Sequence, residues 1–141
     1  MIILDTNVLS ELARIDPEPN VVTWLDSLPA AEVATTAITA AELRYGVARL
    51  PDGRRKAALA ETIDALVKED FRDRVEPFDG PAAEQYATVV VSREKKGRPI
   101  STADAQIAAI CRVRSATLAT RNTGDFTHTG IDLINPWDAA L

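Results

Sequence analysis

Four acids occupy places where a carboxylate can take part in chemistry. Asp5 follows the apolar run Ile2-Ile3-Leu4, and Glu42 closes Thr39-Ala40-Ala41-Glu42. Asp104 closes Ser101-Thr102-Ala103-Asp104, and Asp125 lies in Thr120-Arg121-Asn122-Thr123-Gly124-Asp125. Each has an ordinary explanation on its own. Glu42 and Asp104 fit the capping-box spacing, in which the third residue after a Ser or Thr reaches back to a free helix amide. The helix dipole would favour both there. Asp5 suits an N-cap, and Asp125 suits a turn. Gathered on one edge, however, four carboxylates repel and raise each other's pKa unless a cation compensates. The chain holds one His and one Cys, so the donors are hard oxygens, which select Mg²⁺ or Mn²⁺. Such ions keep water and favour phosphate oxygens. The implied chemistry is phosphoryl transfer or phosphodiester hydrolysis by a metal-activated water.

A parallel sheet would bring these acids together. Ile2–Leu4, residues 32–38, Val75–Phe78, Ala116–Thr120 and Ile131–Ile134 are short, apolar or β-branched runs that suit strands. Between them lie helical stripes. Val8, Leu9, Leu12 and Ala13 form one, closed by Pro17 and Pro19, and Val21, Trp24, Leu25 and Leu28 form a second that ends at Pro29. A third opens at Thr39 and carries Leu43 and Val47. A longer helix carries Leu59, Ile63, Leu66 and Val67. Ala82, Tyr86, Val89 and Val90 stripe another, and Ala103, Ile107, Ile110 and Cys111 the last. Strands alternating with helices predict an α/β fold whose parallel sheet is covered on both faces, with ligands beyond the strands' carboxyl ends. All four acids then fall on that one edge.

Composition narrows the classes. At 141 residues and 46% hydrophobic content, the chain is sized for one domain with one core. A lone Cys excludes an internal disulfide, and with a lone His it excludes the usual structural zinc sites. No apolar run reaches the roughly 18 residues that span a bilayer, and the N-terminus has no basic region, so a cytoplasmic protein away from the membrane is expected. The formal charge of −5 makes the average surface a poor non-specific phosphate binder.

In order along the chain, Ile3-Leu4-Asp5-Thr6-Asn7-Val8-Leu9, Thr39-Ala40-Ala41-Glu42-Leu43-Arg44-Tyr45-Gly46, Ala103-Asp104-Ala105-Gln106-Ile107-Ala108 and Ala119-Thr120-Arg121-Asn122-Thr123-Gly124-Asp125-Phe126 resemble the successive signatures of PIN-domain ribonucleases. The likeness is to the VapC-type toxins of type II toxin–antitoxin modules, and it runs from residue 2 to Ile134-Asn135-Pro136-Trp137. It implies a single PIN domain over residues 1–141, built as a three-layer α/β/α sandwich around a central parallel sheet. It also implies a Mg²⁺- or Mn²⁺-dependent endoribonuclease, a cognate antitoxin and a homodimer. Carried across by position, Asp5, Glu42 and Asp104 become the metal-binding catalytic acids, with Asp125 as the fourth and Asn122 as the competing position. Thr6, Asn7, Arg44, Thr120 and Asn122 become substrate contacts.

Other features discriminate among mechanisms. Attack by an RNA 2′-OH uses proton-transfer groups near neutral pKa, usually His, and the chain offers only His128. Metal-activated water is expected instead, leaving 5′-phosphate and 3′-hydroxyl ends. The basic run Arg93-Glu94-Lys95-Lys96-Gly97-Arg98 reads as solvated surface, or else as positive charge for an RNA backbone near Asp104. Aromatic residues make up 5% of the chain, too few for an extensive base-stacking platform. Two alternatives stand beside the nuclease: a phosphatase using Asp5 as nucleophile, and a non-catalytic binding module. The phosphatase pattern wants a second acid where Asn7 stands.

Overall fold

The computed structural model describes residues 1–138. Strands β1 (Ile2–Leu4), β2 (Val33–Thr36), β3 (Val75–Glu76), β4 (Thr117–Ala119) and β5 (Leu133–Ile134) form one sheet in the order β3-β2-β1-β4-β5. Every pairing is parallel. Around it lie α1 (Thr6–Leu12), α2 (Pro19–Asp26), α3 (Ala37–Ala48), α4 (Arg54–Ala65), α5 (Gly80–Lys95) and α6 (Thr102–Arg114). From β1 the chain crosses to β2 on one side, then later returns to β4 on the other. Strand order therefore reverses at β1, and the crevice at such a point is where open α/β sheets bind ligands.

Alternation along the strands divides the core in two. Ile3, Ala34 and Leu118 face the cluster built from α5 and α6, including Ala82, Val89, Ile107 and Ile110. Leu4, Val33 and Ala119 face the opposite cluster with Val8, Val21, Trp24, Leu43 and Ile63. Two buried faces on three-residue strands explain why β1 reads as a continuous apolar run rather than an alternating one. Trp24 is buried in this cluster, and Leu25 and Leu28 pack against it. Among the described residues no helix is long and apolar enough to cross a membrane.

Apart from β1, the strands are shorter by one or two residues at one or both ends than the sequence reading, and three helix boundaries differ too. Pro19 opens α2 at its first position instead of closing the segment before it, because a helix's first amides need no partner. The third helix opens at Ala37: Thr36, not Thr39, is its N-cap, and Thr36 Oγ1 accepts from the Thr39 amide at 3.0 Å. The stripe at Leu66 and Val67 leaves α4 and continues in a wider turn over Leu66–Asp70.

Candidate active site

Register sets the centre of the site. Ile3 pairs with Leu118 and Leu4 with Ala119, and the ladder runs one step further as the Asp5 amide donates to the Ala119 carbonyl at 2.9 Å. Asp5 and Thr120 therefore leave the sheet side by side. Thr120 Oγ1 donates to Asp5 Oδ2 at 2.8 Å. The same hydroxyl accepts from Asn7 Nδ2 at 3.2 Å and from the Asn122 amide at 3.1 Å. One donation and two acceptances use everything a hydroxyl can offer. Thr120 is fully buried, so its place is behind Asp5 and not against a substrate. Asn7 Nδ2 also reaches Asp5 Oδ2 at 3.4 Å, while Asn7 Oδ1 accepts from the Arg121 amide at 3.1 Å.

Asp5 caps α1 as well: its Oδ1 accepts from the Thr6 amide at 2.8 Å. Thr6 Oγ1 then donates to Glu42 Oε1 at 2.8 Å and lies 3.2 Å from Thr39 Oγ1. Because α3 begins a turn earlier than the capping-box spacing suggested, Glu42 lies beyond its first turn and caps nothing. Asp104 sits in the first turn of α6, whose N-cap Ser101 accepts from the Asp104 amide at 3.2 Å. Here the backbone takes the capping role and the half-buried carboxyl is left to line the cavity.

Asp125 is exposed on the short turn Thr123–Phe126, pinned by the buried Phe126 ring. A second pin is Arg93, which is buried and not solvated. Its Nη1 donates to the carbonyls of Asp125 at 2.7 Å and Thr127 at 3.0 Å, and its Nε donates to that of Arg98 at 2.7 Å. Position 93 continues the inward stripe of 82, 86, 89 and 90, a signal that outweighs its neighbours' charge.

The four acids line one cavity of about 550 Å³, together with Thr6, Asn7 and Asn122. Burial, and then crowding, shows in the protonation of Asp104 and Asp5. Burial pushes Asp104 up to about 6, helped by the negative charge of Asp5 and then of Asp125 and Glu42, against the Ser101 hydroxyl. Asp5 is raised too, mainly by burial, with Glu42 and Asp125 adding and the bonds from Thr120 and Thr6 opposing. Among the described residues no three acids already converge tightly enough to hold one ion in common.

Arg44 does not belong to this cavity. It pairs with Asp64 of α4 at 3.1 Å, since two residues past Glu42 is about 200° around a helix. The sequence reading missed Ser10, Glu11, Arg14, Arg121 and Trp137, all of which line the cavity. Asn7, Ser10 and Glu11 form a polar stripe at i, i+3 and i+4 on α1, which Arg14 extends just past the helix end, and this spacing could have revealed that face. Glu11 is buried, pairs with Arg14 at 3.0 Å and accepts from the Glu18 amide at 3.0 Å, fixing the link from α1 to α2.

The family model for the PIN domain matches residues 2–131. This chain belongs to the PIN-domain family. Over 137 residues it is 44% identical to "Toxin FitB" of Neisseria gonorrhoeae, covering 97% of this chain and 99% of that protein. Over 140 residues it is 39% identical to "VapC ribonuclease Y4jK" of Sinorhizobium fredii, covering 99% and 100%. The solved structure of FitAB bound to an IR36 DNA fragment contains a chain that superposes with a TM-score of 0.92 at 42% identity, covering 100% of this chain and 99% of that one. The PIN-domain likeness read from the ordered motifs is thus borne out, as is the parallel-sheet sandwich.

Proposed function

We propose that this chain is the endoribonuclease toxin of a toxin–antitoxin module and hydrolyses RNA with water activated by Mg²⁺ or Mn²⁺. One observation carries the reading: acids from four separate segments line a single cavity beyond the carboxyl ends of β1 and β4. Relatives named as a toxin and as a ribonuclease support it.

The residues present fit a hard divalent ion. Mg²⁺ is commonly bound by one or two carboxylates, with water and substrate phosphate completing its shell, so a cage of three converged acids is not required. Asp5 and Asp104 would hold it, with Glu42 and Asp125 within the same cavity. When bound, the ion polarises the phosphate and lowers the pKa of a water. The chain supplies the rest. Thr120 and the Thr6 amide fix both oxygens of Asp5, and Thr6 aims Glu42. Asp104 must lose its proton to act as a ligand, which it does above about 6. Asn122, exposed in the same cavity, is the neutral side chain left to meet a phosphate, since the Thr6 hydroxyl is spent on Glu42 and Asn7 Nδ2 on Thr120 and Asp5. Asp125 serves as fourth acid ahead of Asn122, because its charge reaches both Asp5 and Asp104. The phosphatase alternative is not favoured: Asn7, where that chemistry wants an acid, holds Asp5 and Thr120 instead.

The solved FitAB complex supports a cognate antitoxin as partner, and we assign a homodimer and a cytoplasmic location on the same family grounds. The test is direct. Purified chain free of antitoxin is incubated with total RNA and Mn²⁺, and the fragment ends are mapped. We expect 5′-phosphate and 3′-hydroxyl ends, no cleavage with a chelator, and none by folded Asp5→Asn or Glu42→Gln. Cyclic-phosphate ends, or cleavage indifferent to chelation, would overturn the mechanism.

A further inference from the structure

The strand exits next to the acids carry a pair that the cleavage chemistry does not use. Arg121 follows Thr120 off β4, and Trp137 follows Asn135 and Pro136 off β5. The two exits run alongside each other, since the Thr120 amide donates to the Ile134 carbonyl at 2.9 Å. The Arg121 guanidinium carbon lies 4.9 Å from the centre of the Trp137 ring, and both residues line the acidic cavity. Each partner is tied down by its backbone. The Arg121 amide donates to Asn7 Oδ1 at 3.1 Å, and the Trp137 amide donates to Asn135 Oδ1 at 3.0 Å. The Trp137 carbonyl accepts from Asn20 Nδ2 at 3.4 Å. The indole packs partly against the core that holds Leu4 and Ala119, while Arg121 is exposed.

We propose that the Arg121–Trp137 pair is a stacking platform for one nucleobase beside the scissile phosphate, and that it sets base preference at that position. The inference rests on the ribonuclease reading above. A cation–π contact on a surface stabilises a fold only slightly. This one lies at the mouth of a cavity with four carboxylates, where an unneutralised RNA backbone is repelled. The other cation in the lining, Arg14, is engaged by Glu11, and the other aromatic, Phe126, is buried. Arg121 and Trp137 are therefore the pair left to meet RNA there among the described residues. A planar guanidinium held over an indole presents a cationic, polarisable face on which bases stack, and Arg does this where Lys does not.

The experiment uses wild type, Arg121→Lys, Arg121→Ala and Trp137→Phe with a short RNA spanning a mapped cut, and with copies of it lacking one base on either side of the cut. Arg121→Lys keeps the charge and loses the planar face. We expect it to raise KM about tenfold with kcat changed far less, as loss of one base stack would. It should also blur base preference at one position next to the cut. Removing that base from the RNA should cost wild type about the same factor, and Arg121→Lys nothing further. Trp137→Phe should fall between wild type and Arg121→Lys. If Arg121→Lys cleaves as wild type does while Arg121→Ala is impaired, the residue meets phosphate and the platform is wrong. Additive losses from Arg121→Lys and base removal would overturn it as well. Wild type that cuts no RNA with Mn²⁺ would instead bring down the ribonuclease reading itself.

Discussion

Thr120 illustrates how one hydroxyl can govern a carboxylate. It is buried, it spends its only hydrogen on Asp5, and it is held in turn by Asn7 and the Asn122 amide. Thr120→Val keeps the shape and removes the donor. The protein should fold, with cleavage reduced by about 10- to 100-fold, the usual effect of losing a group that orients a metal ligand; kinetics with circular dichroism would check this. Asp104 gives a pH prediction. Its native pKa of about 6 lies above the ordinary 3.8, so between those values the folded chain binds more protons than the unfolded one. Stability of metal-free protein therefore falls as pH rises through that window and levels off above it. Asp104→Asn should melt higher than wild type at pH 7 and lose that advantage near pH 4, in melts with a chelator. Activity should run the opposite way, rising through about pH 6. These acids were legible because each ends a short local pattern. Arg121 and Trp137 were not, since their meeting depends on the pairing of β4 with β5, which no local spacing records.

Helix starts decide which acids are free. The stretch Thr35-Thr36-Ala37-Ile38-Thr39 contains more than one candidate cap, and the strand's β-branched content hides where it ends. Thr36 wins because its side chain reaches the Thr39 amide while Thr39 itself turns inward against Thr6. Thr36→Ala should cost about 1 kcal/mol, seen as a melting point lower by a few degrees. The stripes of α1, α3, α5 and α6 were readable from their apolar periodicity. Arg93 was read as surface because the charged run after it masks the inward stripe that position 93 continues, and its three carbonyl partners show it buried. Arg93→Met fills similar space and strands those carbonyls. It should destabilise by roughly 2–4 kcal/mol in a denaturant titration and weaken cleavage by loosening the turn that carries Asp125.

At the level of the whole molecule, the alternation of strands and helices pointed to a parallel sheet, and parallel strands put every carboxyl end on one edge. Strand order was not legible, because connections to β2 and to β4 look alike in sequence. Only the reversal at β1 makes Asp5 and Thr120 neighbours. On the metal-dependent reading proposed above, the fold places acid repulsion where a cation would relieve it, so ion binding and stability would be coupled. The most direct measurement is a Mn²⁺ titration of wild type, Asp5→Asn, Asp104→Asn and Asp64→Asn, read by calorimetry and by melting temperature. Asp64 serves as control, since its partners Arg44 and Lys68 lie outside the cavity. The account predicts that wild type and Asp64→Asn bind the ion and gain stability, and that Asp5→Asn and Asp104→Asn bind it at least tenfold more weakly. Equal binding by all four proteins, or none by wild type, would contradict it.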